Sequence, residues 1–414
     1  MRSYRCALLA PLLALTFTSA PAHAADTSFA KIERGRHLVN VGDCVACHTD
    51  PNGKPFAGGR PIETPFGTIY SPNLTPDRET GIGAWSDEDF YRAMHNGVRP
   101  DGKRLYPAFP YPYFTKVTHD DVMAIRAYLN TLPPVKNPSR PPGFNWPLNH
   151  HVVMRGWDFM FFTPGTFKPD PHKSAEWNRG AYLVEGLGHC GACHTPKNAL
   201  GADKTRDALR GGSVQNWFAP KIANSMQDGT GSWSTDDIVE YLKTGRNKHS
   251  GATGLMAEVV ADSTSKLPDV DLRAMAAYIK DVDGGAPATA SKPDEKIMTA
   301  GGAIFNDSCG ACHQSDGSGV PHMFPPLKHD VNVQQSDPTT VIRVILEGAR
   351  TVPTDKRPTP FAMPAYGWKL KDDQIAAVAT YVRNAWGNSA PAVTASEVTA
   401  LRKSLRKERA AGGS

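Results

Sequence analysis

Cys44-Val45-Ala46-Cys47-His48, Cys190-Gly191-Ala192-Cys193-His194 and Cys309-Gly310-Ala311-Cys312-His313 are three copies of one pattern in a chain of 414 residues. Cys-x-x-Cys-His is the attachment signature of c-type haem. The two thiols add across the porphyrin vinyl groups, and the adjacent histidine reaches the iron as proximal ligand. The copies use six of the 7 cysteines, so unrelated zinc or redox pairs do not explain them. The sequence therefore predicts three covalently bound haems c. Cys44, Cys47, Cys190, Cys193, Cys309 and Cys312 are the attachment points; His48, His194 and His313 are the iron ligands.

The seventh cysteine, Cys6, falls in a segment with the marks of a secretory signal peptide over residues 1–24. Arg2 and Arg5 form a basic start, Ala7 to Phe17 is a short apolar run, and Ala22-His23-Ala24 offers small residues before a cleavage point. Export to the periplasm suits covalent haem and removes a cytosolic thioredoxin-like reading of the cysteine pairs. About 390 remaining residues, less the linkers and tail, give each motif roughly 95 to 120, a small-domain size. The hydrophobic share is 40%, low but sufficient where a haem fills part of each core. The formal charge of +5 would be offset by the propionates of three haems, so nucleic acid is not an expected partner. Beyond the signal, no apolar run reaches the length of a transmembrane helix.

Three segments line up around the motifs. Gly35-Arg36-His37-Leu38-Val39, Gly180-Ala181-Tyr182-Leu183-Val184 and Gly301-Gly302-Ala303-Ile304-Phe305 precede them as helical stretches. Pro72-Asn73-Leu74, Pro220-Lys221-Ile222 and Pro325-Pro326-Leu327 follow them. Ser86 and Ser234 sit at N-cap positions ahead of acids, and Ser336-Asp337-Pro338-Thr339 takes that place in the third copy. Amphipathic helices over Asp121 to Leu132, Asp271 to Val282 and Asp372 to Trp386 close the copies. The expected architecture is all-α: three consecutive small domains, each wrapped round one haem, at 25–136, 173–285 and 295–388. An aromatic and Pro-rich linker spans 137–172, a plain connector 286–294 and a basic tail 389–414. Val152 to Phe162 in the first linker reads as packing between two units, or else as a contact for a partner subunit or membrane surface.

The helix, motif, loop and closing helix are those of the small cytochrome c fold. Tyr70-Ser71-Pro72-Asn73-Leu74-Thr75-Pro76-Asp77, Thr80-Gly81-Ile82-Gly83, Leu105-Tyr106-Pro107-Ala108-Phe109-Pro110-Tyr111 and above all Trp177-Asn178-Arg179-Gly180-Ala181-Tyr182-Leu183-Val184 carry a narrower likeness. Almost the whole chain resembles the tri-haem cytochrome c subunit of membrane-bound dehydrogenases, the quinoprotein alcohol and flavin-dependent gluconate, sorbitol and fructose enzymes. The resemblance implies a subunit that accepts electrons from a PQQ- or flavin-containing catalytic subunit and passes them to ubiquinone or a terminal oxidase. Similar subunits accompany molybdenum hydroxylases, the runner-up partner. Small cytochromes of this fold also imply that the carbonyls of Pro72, Pro220 and Pro325 accept a hydrogen bond from the proximal histidines.

The sixth iron ligand is read separately for each copy. Met363, beside Pro364 and 18 residues before Tyr381, and Met256, 22 before Tyr278, are the expected ligands. Met226, Met275 and Met323 read as packing residues, and His189, His249 and His322 as ordinary polar residues. The first copy has Phe109 where a methionine belongs, and phenylalanine has no lone pair for iron. Met94, on the preceding helix at the position of Leu242, could exchange places with it; Met123, His95 or an open iron are the alternatives. The open iron leaves a rival reading as a peroxidase-like haem enzyme, since no catalytic residues are otherwise visible. In the tail, Val398, Leu401 and Leu405 recur at helical spacing among basic residues. That pattern reads either as a peripheral membrane helix or as a solvated tail.

Overall fold

A computed structural model describes residues 28–287 and 289–412; the signal-peptide assignment and Cys6 lie outside the described residues. Helices dominate, and one set recurs three times. Opening helices span Phe29–Val41, Ala175–Glu185 and Glu295–Ser308. Middle helices span Asp87–Asn96, Thr235–Thr244 and Thr339–Glu347. Closing helices span His119–Leu129, Asp269–Ile279 and Asp372–Val382.

Each opening helix crosses its closing helix at a glycine. A Cβ on Gly35 would lie 1.9 Å from the Ala124 carbonyl oxygen, and one on Gly180 1.9 Å from that of Ala274. On Gly301 it would lie 2.2 Å from that of Ala377. Only a residue without a side chain permits the contact. The middle helices begin as their sequences require: Ser86 and Ser234 form capping boxes with Asp89 and Asp237. The third begins after Pro338, where the Asp337 carboxylate accepts from the Thr339 N–H at 2.8 Å.

All three closing helices stop earlier than the sequence suggested, and the first two also start two residues sooner, at His119 and Asp269. Thr118 caps the first, its hydroxyl accepting from the Asp121 N–H. Leu132 precedes a proline and so disfavours helix. The third ends at Val382, capped by Arg383, and Trp386 beyond it adopts left-handed backbone, φ 56°. Short antiparallel ribbons, absent from the all-α expectation, fill the loops: Pro61–Thr64 with Gly67–Tyr70 and Gly143–Phe144, Gly212–Val214 with Trp217–Ala219, and Ala349–Arg350 with Ala362–Met363.

The first two repeats do not close on themselves. Leu38, Val41, Ile125 and Leu129 of the first share one continuous core with Leu183, Leu187, Leu272 and Ile279 of the second. The third has its own, around Phe305, Ile342 and Ile375. The 137–172 segment is ordered where it matters. Its helix His151–Phe161 buries Met154 and Trp157 with Tyr111 and Ala202. Trp157 Nε1 donates to the Leu200 carbonyl at 2.9 Å, tying the first two repeats as expected. Among the described residues of 286–294 there is no regular secondary structure.

The tail corrects the sequence reading. It forms the helix Ala395–Gly412, and Val398 and Leu405 are fully buried in the third core, with Leu401 packed beside them. Arg402 pairs with Asp372 at 2.8 Å, and Glu408 receives Arg343 at 2.7 Å. The apolar stripe is thus spent inside the protein, and neither a solvated tail nor an apolar membrane face remains.

Because the helix crossing admits no Cβ, Gly180→Ala should destabilise the protein by about 1–3 kcal/mol, the usual cost of overpacking. Denaturant titration of the holoprotein would show a lower midpoint; an unchanged midpoint would mean that the helices separate at no cost.

Candidate haem sites

Each motif is a single helical turn. The N–H groups of His48, His194 and His313 donate to the carbonyls of Cys44, Cys190 and Cys309 at 2.9, 2.9 and 3.0 Å. One turn of this kind brings both cysteines and the histidine to one side of the backbone. Asp43, in left-handed conformation at φ 48°, starts the first turn.

The imidazole rings are then fixed from outside. Nδ1 of His48 lies 2.8 Å from the Pro72 carbonyl oxygen, Nδ1 of His194 2.7 Å from that of Pro220, and Nδ1 of His313 3.0 Å from that of Pro325. All three expected carbonyls are in place. Burial lowers the pKa of each of these histidines, so the neutral ring is favoured. With Nδ1–H donated to a carbonyl, the Nε2 lone pair is left for a metal.

The six thiols form no disulfide. Burial pushes Cys44 and Cys190 up to about 12, and Cys47 and Cys309 up to about 11. A redox-active pair needs the opposite shift, towards thiolate. Among the described residues no cluster of His, Cys, Asp or Glu is arranged to hold a bare metal ion. Paired, reduced thiols beside an oriented imidazole suit a porphyrin that bonds to both sulfurs, and the residues fit haem c.

The sulfur candidates separate. Met94 is buried on the first middle helix, in the core that also contains Cys44. Its neighbour His95 turns to stack on Tyr91, ring centroids 5.0 Å apart. Phe109 packs on Phe114 with centroids at 5.3 Å. Met363 lies in the short strand opposite Ala349 and packs on the third core with Cys309. Met256 is half-buried on the first turn of helix Gly254–Asp262 rather than in a loop. Met275 is buried as expected, but Met226 and Met323 are exposed, correcting their reading as packing residues. His189, His249 and His322 meet the Leu187 carbonyl, Asp237 and Arg357 respectively.

The pattern that defines the family described as Cytochrome c matches residues 32–133, 178–283 and 298–386, one motif in each stretch. The chain belongs to the cytochrome c family. It is 41% identical over 405 residues to the cytochrome c subunit of alcohol dehydrogenase (quinone) from Gluconacetobacter polyoxogenes, covering 93% of this chain and 86% of that one. The gluconate 2-dehydrogenase cytochrome c subunit of Pantoea cypripedii is 40% identical over 396 residues, 90% of each chain. A nicotinate dehydrogenase subunit of Pseudomonas putida is 41% identical over 375 residues, which is 88% of this chain but 31% of that protein. The resemblance to dehydrogenase cytochrome c subunits therefore holds over most of the chain, and covalently bound haem c comes with the family.

This cytochrome has a joint that the sequence reading missed. Asp121 and Asp271 occupy matching positions on the first two closing helices. Each is held by the arginine of its own opening helix, Arg34 at 2.5 Å and Arg179 at 2.9 Å. Each also reaches across: Tyr182 Oη donates to Asp121 at 2.6 Å, and His37 Nε2 meets Asp271 at 2.8 Å. The crossing continues at the motifs. Phe114 of the first repeat meets His189, next to Cys190, with centroids at 5.6 Å, and Arg60 joins Glu258 at 2.7 Å. Gln335 binds the second repeat to the third, receiving the Lys221 N–H at 3.1 Å and donating to the Asp228 carbonyl at 2.6 Å.

Burial works to raise the Asp271 pKa, but hydrogen bonds from His37 and Arg179 outweigh it and hold the carboxyl at about 2. An unfolded carboxyl titrates near 3.9, so this group stabilises the fold above about pH 4. The contribution fades as pH falls towards 2. Asp271→Asn should therefore cost on the order of 2 kcal/mol at pH 7, with the difference from wild type shrinking between pH 4 and 2. Urea titrations across that range would show it; a constant difference would mean that the carboxylate charge does not matter.

Proposed function

We propose that this chain is the tri-haem electron relay of a periplasmic dehydrogenase complex, with each repeat wrapped round one haem. A catalytic subunit carrying PQQ or flavin would oxidise an alcohol, aldehyde or sugar acid. The electrons would pass through this chain to ubiquinone or the respiratory chain at the outer face of the cytoplasmic membrane. The observation that carries the reading is the threefold motif with paired free thiols and carbonyl-held imidazoles, in a chain about 40% identical to dehydrogenase cytochrome c subunits. Among the described residues no helix is long and apolar enough to cross a membrane, which suits peripheral attachment through partners.

Haem supplies one-electron chemistry, its iron alternating between ferric and ferrous; the chain holds and adjusts it. Cys44 with Cys47, Cys190 with Cys193, and Cys309 with Cys312 anchor the three groups. His48, His194 and His313 ligate through Nε2, and their carbonyl partners Pro72, Pro220 and Pro325 increase the imidazoles' donor strength. Met363 and Met256 would each supply a sulfur ligand, in the third and second repeats. In the first repeat Met94 would do so: it is buried in the core against which Cys44 packs, whereas Met123 only borders that core and His95 stacks on Tyr91.

A second reading, the cytochrome portion of a molybdenum hydroxylase acting on an aromatic heterocycle, is supported by the match to the nicotinate dehydrogenase protein. Purifying the tagged chain from its host with its partners separates the two. PQQ or flavin in the partner supports the first, molybdenum the second, and purification alone in every detergent overturns both.

All three haems should resist acid-acetone, and the intact mass should exceed the processed chain by three haem units. Extraction of one haem would remove one motif from the assignment. Met94→Ala should let the ferrous first haem bind carbon monoxide, whereas Phe109→Ala should not. Ready binding by wild type itself would leave the first iron open and favour the peroxidase-like reading, and equally poor binding by wild type and the Met94 variant would mean that Met94 is not the ligand.

A further inference from the structure

The tail helix turns its apolar residues inward, and what it leaves outward is positive. Lys403, Arg406 and Lys407 are exposed, and no carboxylate among the described residues forms an ion pair with them. With Lys371 and Arg402 they line a surface pocket of about 790 Å³ between the tail helix and the start of the closing helix Asp372–Val382. The one carboxylate in its lining, Asp372, is already taken by Arg402 at 2.8 Å and by the Thr399 hydroxyl at 2.6 Å. Gly367 and Leu370 supply part of the wall, and between them in the same turn stands Trp368, 83% exposed.

Protein interfaces take up tryptophan and arginine but are depleted in lysine, and three of the five cations here, Lys371, Lys403 and Lys407, are lysines. An exposed indole beside such cations is what a headgroup layer selects. Tryptophan settles at the level of the headgroups, and lysine and arginine attract anionic phosphates. We propose that this face of the third repeat is a docking surface for an anionic phospholipid bilayer. Headgroup phosphates would enter the pocket at Lys371, Lys403, Arg406 and Lys407, and Trp368 would enter the interface beside it. The proposal rests on the membrane-side relay reading for its purpose, and it adds an orientation. Trp368 follows the candidate iron ligand Met363 by five residues, so docking here turns the third repeat, rather than the first two, towards the membrane.

The test is co-sedimentation of purified holoprotein with vesicles of phosphatidylcholine, alone or mixed with phosphatidylglycerol. Wild type should bind only the mixed vesicles, and added salt should weaken binding, since exposed charges are screened over about 8 Å at physiological ionic strength. A Lys403→Ala, Arg406→Ala, Lys407→Ala variant should partition on the order of 100-fold less, each cation near an anionic surface contributing roughly a fivefold factor. Trp368→Ser should weaken binding at every salt concentration. These side chains are exposed, so an unchanged haem spectrum should accompany each substitution. Equal binding to neutral vesicles, or undiminished binding by the triple variant, would overturn the proposal. So would loss confined to Phe159→Ser, the 92% exposed aromatic of the linker helix. Failure on vesicles by a protein that still purifies with its dehydrogenase would reject this surface and leave the relay reading standing.

Discussion

The structure depends on how closely two helices can approach. At Gly35, Gly180 and Gly301 the opening helix rests directly on a carbonyl of the closing helix, an approach that any side chain would prevent. The cysteine turn begins a few residues beyond each opening helix, so this contact fixes where the turn points. Helices held one methyl group further apart would leave the thiols, the proximal histidine and the sulfur candidates around a looser cavity. The crossing is repeated three times with less variation than any loop, and the ribbons, caps and linker helix are arranged around it.

Within that frame, burial and hydrogen bonding act together on the chemical groups. Burial keeps the Cys44 and Cys190 thiols protonated and the His48 and His194 imidazoles neutral. Proline carbonyls then select which imidazole nitrogen carries the proton. Proline serves well at this position: having no N–H, it forms no ladder of its own, and its fixed backbone presents the carbonyl in one direction.

Much of this was legible in the sequence because it is local. The motifs, the capping serines Ser86 and Ser234, the three prolines and the helix order all lie within short spans whose chemistry is self-contained. Trp177 to Val184 stood out as the most specific stretch, and its side chains turn out to be joint residues. Trp177 bonds Asp281, Arg179 holds Asp271, and Tyr182 reaches Asp121. Those partners were hidden because they lie 61 to 104 residues away in sequence, and a lone aspartate on a helix does not announce what it meets. The tail failed for the same reason. Val398, Leu401 and Leu405 make an apolar stripe that a membrane or a protein core could equally cover, and only the fold shows that the third core claims it. Met226 and Met323 were judged by residue type, while exposure depends on neighbours that sequence spacing does not name.

Repetition in the chain and closure in space do not coincide. Three sequence repeats do not give three separate interiors: the first pair shares its main core, and Val331 of the third packs with Trp233 and Ile238 of the second. Cutting the gene at the end of the first repeat would leave half a core facing water and strand Asp121 without Tyr182. Of the fragments that contain the first repeat, the smallest with a complete inside is the first two repeats together. Insertion, loss or exchange of a single module during evolution would be tolerated at the third repeat and resisted at the first two, which inherit one another's surfaces as a pair.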